Sequence, residues 1–211
     1  MKKKIFLITV LMILLLTGCN FPSAKSTPTP APTPTPDYGM QLYYGLGMSI
    51  YLPPTYVTED IKTQLPGIIE TLTTLLGSKD GAVKDFIDNL EENISWYGYD
   101  SGTAAVYPTR LVIIHNKTLA KTPLSLVIYG LERVLRKENV EVDSDTLTLN
   151  GRETYRFTYS EAGNAWVAYV FKTEEQLWLS VFITTPANLA VSLGDYDVSV
   201  GSMSIAPLPA Q

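Results

Sequence analysis

The sequence predicts an α+β domain in which a mainly antiparallel sheet is covered by helices on both faces, an α/β/α sandwich. Three observations point there. Apolar residues at i, i+3, i+4 and i+7 recur in the first two thirds of the chain, whereas the last third is dominated by β-branched and aromatic runs. Several of those runs are apolar on both sides, as in Leu111-Val112-Ile113-Ile114, and such strands require cover on two faces. The connections between the later strands are short, which makes neighbours antiparallel. A β-sandwich is the competing architecture, and it requires the middle helices to be absent.

The chain opens with Met1-Lys2-Lys3-Lys4 and an apolar run over residues 5–16. A secretory signal has this form; a membrane-spanning helix needs roughly 20 apolar residues. Leu16-Thr17-Gly18-Cys19 matches a bacterial lipobox, so residues 1–18 are expected to be a lipoprotein signal peptide and Cys19, the only cysteine, the lipidated residue. At about 0.8 kcal/mol per buried methylene, two or three acyl chains would anchor the protein firmly. A plain thiol or an intermolecular disulfide are the other readings of Cys19. Residues 19–37 form a Pro/Thr-rich tether whose core, residues 26–36, reads STPTPAPTPTP. Proline removes the amide donor and fixes φ, leaving an extended polyproline-II spacer of roughly 34 Å at about 3.1 Å per residue. A Pro-rich recognition ligand and an O-glycosylated stalk are the other readings. The expected location is the bacterial cell membrane or outer membrane, with the domain, residues 38–211, outside the cytoplasm.

The chain has 16 Lys and Arg against 21 Asp and Glu; without Lys2, Lys3 and Lys4 the balance is 13 against 21, a formal −8. Nucleic-acid binding needs basic surface to displace counterions, so DNA and RNA are not expected partners. No cysteine follows Cys19, so the core is built without a disulfide.

Along the domain, the stretch around Gly45 and Gly47 is expected to be an opening hairpin, closed by Pro53-Pro54. Ile50 stands where a dinucleotide fingerprint would need its third glycine, so both glycines are read as turn residues. Ile68, Ile69, Leu72, Leu75 and Leu76 predict a helix entered at Pro66 and left at Gly77; Val83, Phe86, Ile87 and Leu90 predict a second, capped by Asp80. Strands are expected at 94–99 and 110–116. A third helix carries Leu124, Val127, Ile128, Leu131, Val134 and Leu135, with Thr122 as its cap and Pro123 at its first position. Strands at 147–149 and 154–159 flank Asn150-Gly151, which favours a two-residue type I′ turn because both residues tolerate positive φ. Two more strands are expected at 166–171 and 177–184, then a short helix at 186–193 ended by Gly194, and a closing segment at 198–205 of no assigned type.

The order of these elements, with GMSIYLP, RLVIIHN, LTLNGRETYRFTY, AWVAYVFK and QLWLSVFIT among them, is similar to that of the PsbP-like superfamily. That superfamily includes the extrinsic photosystem II subunit, a Ran-binding nuclear import factor and bacterial lipoproteins of the LpqN and DcrB type. Its recurrent Gly-x-Ser-Ile-x-Leu-Pro strand reads Gly47-Met48-Ser49-Ile50-Tyr51-Leu52-Pro53 here. The resemblance spans residues 43–205 and implies an α/β/α sandwich with a non-catalytic role in binding or assembly. Its members bind unrelated partners through different surfaces, so no functional residue carries over.

The side chains suggest no enzyme. His115 is the only histidine, which rules out a metal site built from several histidines, and it is read as structural. There is no nucleophile elbow and no phosphate-binding loop. Asp85 with Asp88, Asp143 with Asp145, and Asp195 with Asp197 are read as solvated pairs lacking the six to eight oxygens that calcium takes; a hydrolase using Asp195 and Asp197 is the remotest reading. Neither cofactor nor metal is expected, and the Asn93 and Asn116 sequons are read as chance matches. The aromatic residues Tyr43, Tyr44, Tyr51, Tyr56, Trp96, Tyr97 and Tyr99 exceed what the helix faces need, and tyrosine and tryptophan are favoured at binding surfaces, so they are the candidate partner-binding set, with core packing as the other reading. The leading expectation is a membrane-anchored accessory domain with an envelope protein partner. The alternative is a carrier for a lipid or another small apolar ligand.

Overall fold

The computed structural model describes residues 39–60, 90–103, 107–137, 142–161 and 163–206. Cys19, the tether and the helices expected at 66–77 and around 80–90 lie outside those residues, apart from a four-residue helical end, α1 (Leu90–Asn93).

The strands, all antiparallel, fall into two sheets among the described residues. A small sheet in the order β1-β2-β10 joins β1 (Gln41–Gly45), β2 (Met48–Leu52) and β10 (Ser204–Ile205). A large sheet in the order β3-β4-β5-β9-β8-β7-β6 joins β3 (Tyr56–Thr58), β4 (Ile94–Asp100), β5 (Arg110–Asn116), β9 (Leu177–Thr184), β8 (Asn164–Lys172), β7 (Arg152–Glu161) and β6 (Asp143–Leu149). The expected β6–β7 hairpin is present. Leu149 pairs with Arg152, leaving Asn150 (φ 50°) and Gly151 (φ 76°) as its two-residue turn, both in the left-handed region that this turn demands.

Period-2 alternation gives the large sheet two distinct apolar faces. On one, Trp96, Leu111, Ile113, Val167, Tyr169, Phe171, Trp178 and Phe182 form a single buried cluster with Met48, Ile50 and Leu52 of β2, Tyr196 and Val200 of helix α3 (Pro186–Gly201), and Met203. Each fully buried aliphatic side chain here contributes about 1.5–3 kcal/mol. On the other, Ile128 of helix α2 (Leu124–Lys137) packs on Phe157, Val170 and Leu177, beside a cluster of Ile94, Tyr97, Val112, Ile114 and Val181. The first face is therefore covered by a helix and a second sheet together. Of the second, α2 covers one part among the described residues.

Strand β6 begins four residues earlier than expected, at Asp143, and two helix boundaries also differ. The helix entering at Pro186 passes through Gly194 and continues to Gly201. Thr185 caps it, its hydroxyl oxygen accepting from the Asn188 amide at 3.3 Å. An interior glycine costs about 1 kcal/mol, which burial of Tyr196, Ser199 and Val200 offsets, and Arg152 Nη2 caps the far end by donating to the carbonyls of Val200 (3.0 Å) and Gly201 (3.4 Å). Thr122 ends a 3-10 turn (Thr118–Lys121) in extended conformation, and the Pro123 carbonyl receives the first helical bonds, from the amides of Leu126 (3.0 Å) and Val127 (3.2 Å).

Candidate binding surfaces

The structure divides the seven aromatic candidates. Tyr56, Trp96 and Tyr97 are buried, so these three are a correction: they belong to the core. Trp96 lies edge-on to Tyr43, ring centroids 5.8 Å apart, and tilted against Tyr56 at 6.2 Å. Tyr43 faces the same core, and its hydroxyl donates to the Tyr56 carbonyl at 2.8 Å. Gly98, two residues along β4 from Trp96, leaves no room for a side chain: a Cβ there would collide with the Val57 carbonyl oxygen of β3 and lie 2.6 Å from the Trp96 ring. Burial pushes the Tyr56 hydroxyl far above its ordinary pKa.

Tyr44 and Tyr51 lie on the opposite, outward face of the small sheet. In the β1–β2 register Tyr44 pairs with Ser49 and Leu42 with Tyr51, so Leu42, Tyr44 and Tyr51 share that face, at an edge strand. Tyr44 is 76% exposed, and Leu46 at the hairpin tip is exposed as well.

His115 is buried in β5, its Nδ1 in a 2.8 Å hydrogen bond with Ser95 Oγ and its ring 5.6 Å from Trp178. Burial, followed by the charge of Lys117, holds its pKa below the ordinary 6.5. This is a structural environment, as expected.

Two of the aspartates read as solvated bind the same arginine: Asp145 stays exposed to solvent, whereas Asp197 is partly buried. Arg156 Nη1 donates to Asp197 Oδ1 (3.0 Å) and Oδ2 (2.8 Å), and Nη2 to Asp145 Oδ2 (2.7 Å). The buried Tyr169 hydroxyl donates to Asp197 Oδ1 at 2.7 Å. Desolvation alone would lower the Arg156 pKa, but the bonds to Asp145 and Asp197 outweigh it and raise it; the Tyr169 hydroxyl is pushed up by burial and then by Asp197. The network fastens α3 to β6, β7 and β8, and both oxygens of the Asp197 carboxylate are engaged in it. A hydrolase built on Asp195 and Asp197 therefore loses its second carboxylate.

A second surface was not legible in the sequence. At one end of the large sheet a cleft of about 180 Å3 is lined by Tyr107, Pro108, Arg110, Asn164, Ile183 and Thr184. Cross-strand pairing runs Tyr99–Arg110–Ile183–Trp166–Tyr159, one side chain from each of five neighbouring strands, all on one face. Tyr159 and Trp166 stack with centroids 5.7 Å apart and planes within 2° of parallel. Arg110 Nη1 donates to the Tyr97 hydroxyl and lies 3.5 Å from Glu59 Oε2, so its charge is partly offset. Thr184 and Thr109 share a buried 2.8 Å hydroxyl pair in the cleft wall. Only Tyr99 of this group was a candidate from sequence. The others come from segments far apart in the chain, and the one local signal was that Arg110 and Asn164 are polar residues opening otherwise apolar strands.

Among the described residues no group of three or more His, Cys, Asp or Glu side chains is placed to hold a metal ion. No helix among them is long and apolar enough to cross a membrane.

No family model and no curated protein matches the sequence. Among solved structures, the chain is similar to cyanobacterial PsbP (CyanoP) from Synechocystis sp. PCC 6803, at 11% identity and a TM-score of 0.49 over 87% of this chain and 98% of that one. It is also similar to PA94, a protein of unknown function from Pseudomonas aeruginosa (10% identity, TM-score 0.43, 82% and 99% covered). A third is the Ran-binding protein Mog1p of Saccharomyces cerevisiae (8% identity, TM-score 0.43, 79% and 96% covered). At these identities and TM-scores the likeness is one of outline, and it assigns this chain neither a family nor a partner.

Proposed function

We propose that this chain is a lipid-anchored, extracytoplasmic domain of a bacterial envelope that acts without catalysis, by holding an envelope protein through the outward face of its small sheet. The observation that carries the reading is Tyr44, three-quarters exposed on an edge strand with Leu42 and Tyr51 beside it. An exposed tyrosine flanked by half-buried apolar side chains is a composition found at protein-binding surfaces. The lipobox at Cys19 and the proline tract support the anchoring half of the reading.

A photo-crosslinking amino acid at position 44 tests it in intact cells. A discrete protein adduct is expected, diminished by Tyr51→Ala. Recovery of lipid and abundant neighbours alone would refute the docking role. Palmitate labelling that persists in Cys19→Ser, or fails in the natural chain, would refute the anchor.

Among the described residues the carrier reading draws no comparable support. Pockets for small ligands measure roughly 300–1,000 Å3, whereas the cleft is about 180 Å3 with Arg110, Asn164 and Thr184 in its wall.

A further inference from the structure

The cleft at the end of the large sheet has a chemistry of its own, separate from the outward face of the small sheet. We propose that it binds one pyranose ring of an envelope glycan. Its volume, about 180 Å3, is too small for a drug-sized ligand or a long acyl chain, so it takes a single compact group of something larger.

The lining says which group. Tyr107 is 62% exposed, and with Pro108 and Ile183 it offers apolar surface. A pyranose has a face of C–H bonds that rests on an aromatic ring and a rim of hydroxyls that needs donors and acceptors. Asn164 supplies both from one amide, and the Arg110 guanidinium supplies donors in a fixed fork. Arg110 is held in place by Tyr97 and Glu59, so it is pre-oriented. Glu59 also offsets its charge, in a chain whose formal balance is −5. A phosphate or another compact anion would want that cation unpaired. A neutral polyhydroxylated ring suits the site better.

Ile183 of the lining pairs across the strands with Arg110 on one side and Trp166 on the other, which places the half-buried Trp166 ring beside the cleft. The inference uses none of Leu42, Tyr44 or Tyr51, so it stands or falls independently of the docking role.

The test is fluorescence titration of the full lipidated chain in detergent micelles, with two neutral probes, tri-N-acetylchitotriose and maltotriose, and with inorganic phosphate and octanoate as competitors for the reading. Trp96 and Trp178 are buried, so Trp166 is the tryptophan placed to respond. At least one oligosaccharide is expected to bind with a millimolar or tighter Kd. Tyr107→Ala and Asn164→Ala should each weaken it roughly tenfold, while Tyr44→Ala leaves it unchanged. Denaturation midpoints of the two variants, expected to match the natural chain because Tyr107 is a surface residue, separate lost contact from lost fold. The proposal is overturned if neither sugar binds at millimolar concentration, if phosphate or octanoate binds in their place, or if binding is indifferent to Tyr107 and Asn164.

Discussion

Asp197→Ala removes the one acceptor shared by Arg156 and Tyr169, and its cost can be built from the geometry. Tyr169 is fully buried and its hydroxyl would lose its carboxylate acceptor, which costs about 1–3 kcal/mol. Arg156 would lose two charge-assisted contacts, at 2.8 and 3.0 Å, but keep Asp145. A bond to a charged group contributes about 1.5–3 kcal/mol when shielded; the Asp197 side chain is 27% exposed, and solvent screening discounts the value toward about 1 kcal/mol. The sum is about 2–4 kcal/mol, or roughly 5–15 °C in Tm for a domain of this size. Urea unfolding followed by tryptophan fluorescence measures it, with the slope against denaturant unchanged. Tyr169→Phe should cost less, about 1–2 kcal/mol, and the two losses should overlap in the double variant because they delete the same bond. A loss below about 0.5 kcal/mol for Asp197→Ala, or two losses that simply add, would show that α3 is not fastened through this network.

Other consequences concern single residues. His115 has a folded pKa below its unfolded value of 6.5, so the unfolded chain binds the extra proton first. Its contribution to stability is complete above about pH 6.5 and is lost as pH falls through the lowered folded value, with a slope of at most about 1.4 kcal/mol per pH unit. Unfolding free energies from pH 7.5 downward should show that slope, and His115→Gln should flatten it; an unchanged profile would refute the assignment. Gly98→Ala should cost about 1–3 kcal/mol by overpacking and should loosen β3 in particular. Hydrogen exchange at Val57 and Thr58 reads that directly, and protection equal to that of the natural chain would count against it. Gly151→Ala should cost about 1 kcal/mol, because φ at that position is 76°, as read by the shift in urea midpoint.

What the sequence settled alone are the features governed by a few neighbouring residues. Alternation in 154–159, 166–171 and 177–184 specifies strands, and Asn150-Gly151 specifies their tightest turn, because side-chain period and φ preference are local properties. The lipobox and the proline tract are local in the same sense, which is why an anchor and a tether can be expected from residues 1–37 alone. Tertiary structure decided the rest. It inserted β9 between β5 and β8, bringing Arg110 beside Ile183 and Trp166 and joining Thr109 to Thr184 across 75 positions of chain. It carried α3 past Gly194, buried Tyr56, Trp96 and Tyr97 while leaving Tyr44 exposed, and closed Asp145 and Asp197 on one arginine. Tyr43 and Tyr44 are adjacent and chemically identical. Only the register of β1 on β2, chosen because Met48, Ile50 and Leu52 must all be buried together, decides which of them meets water.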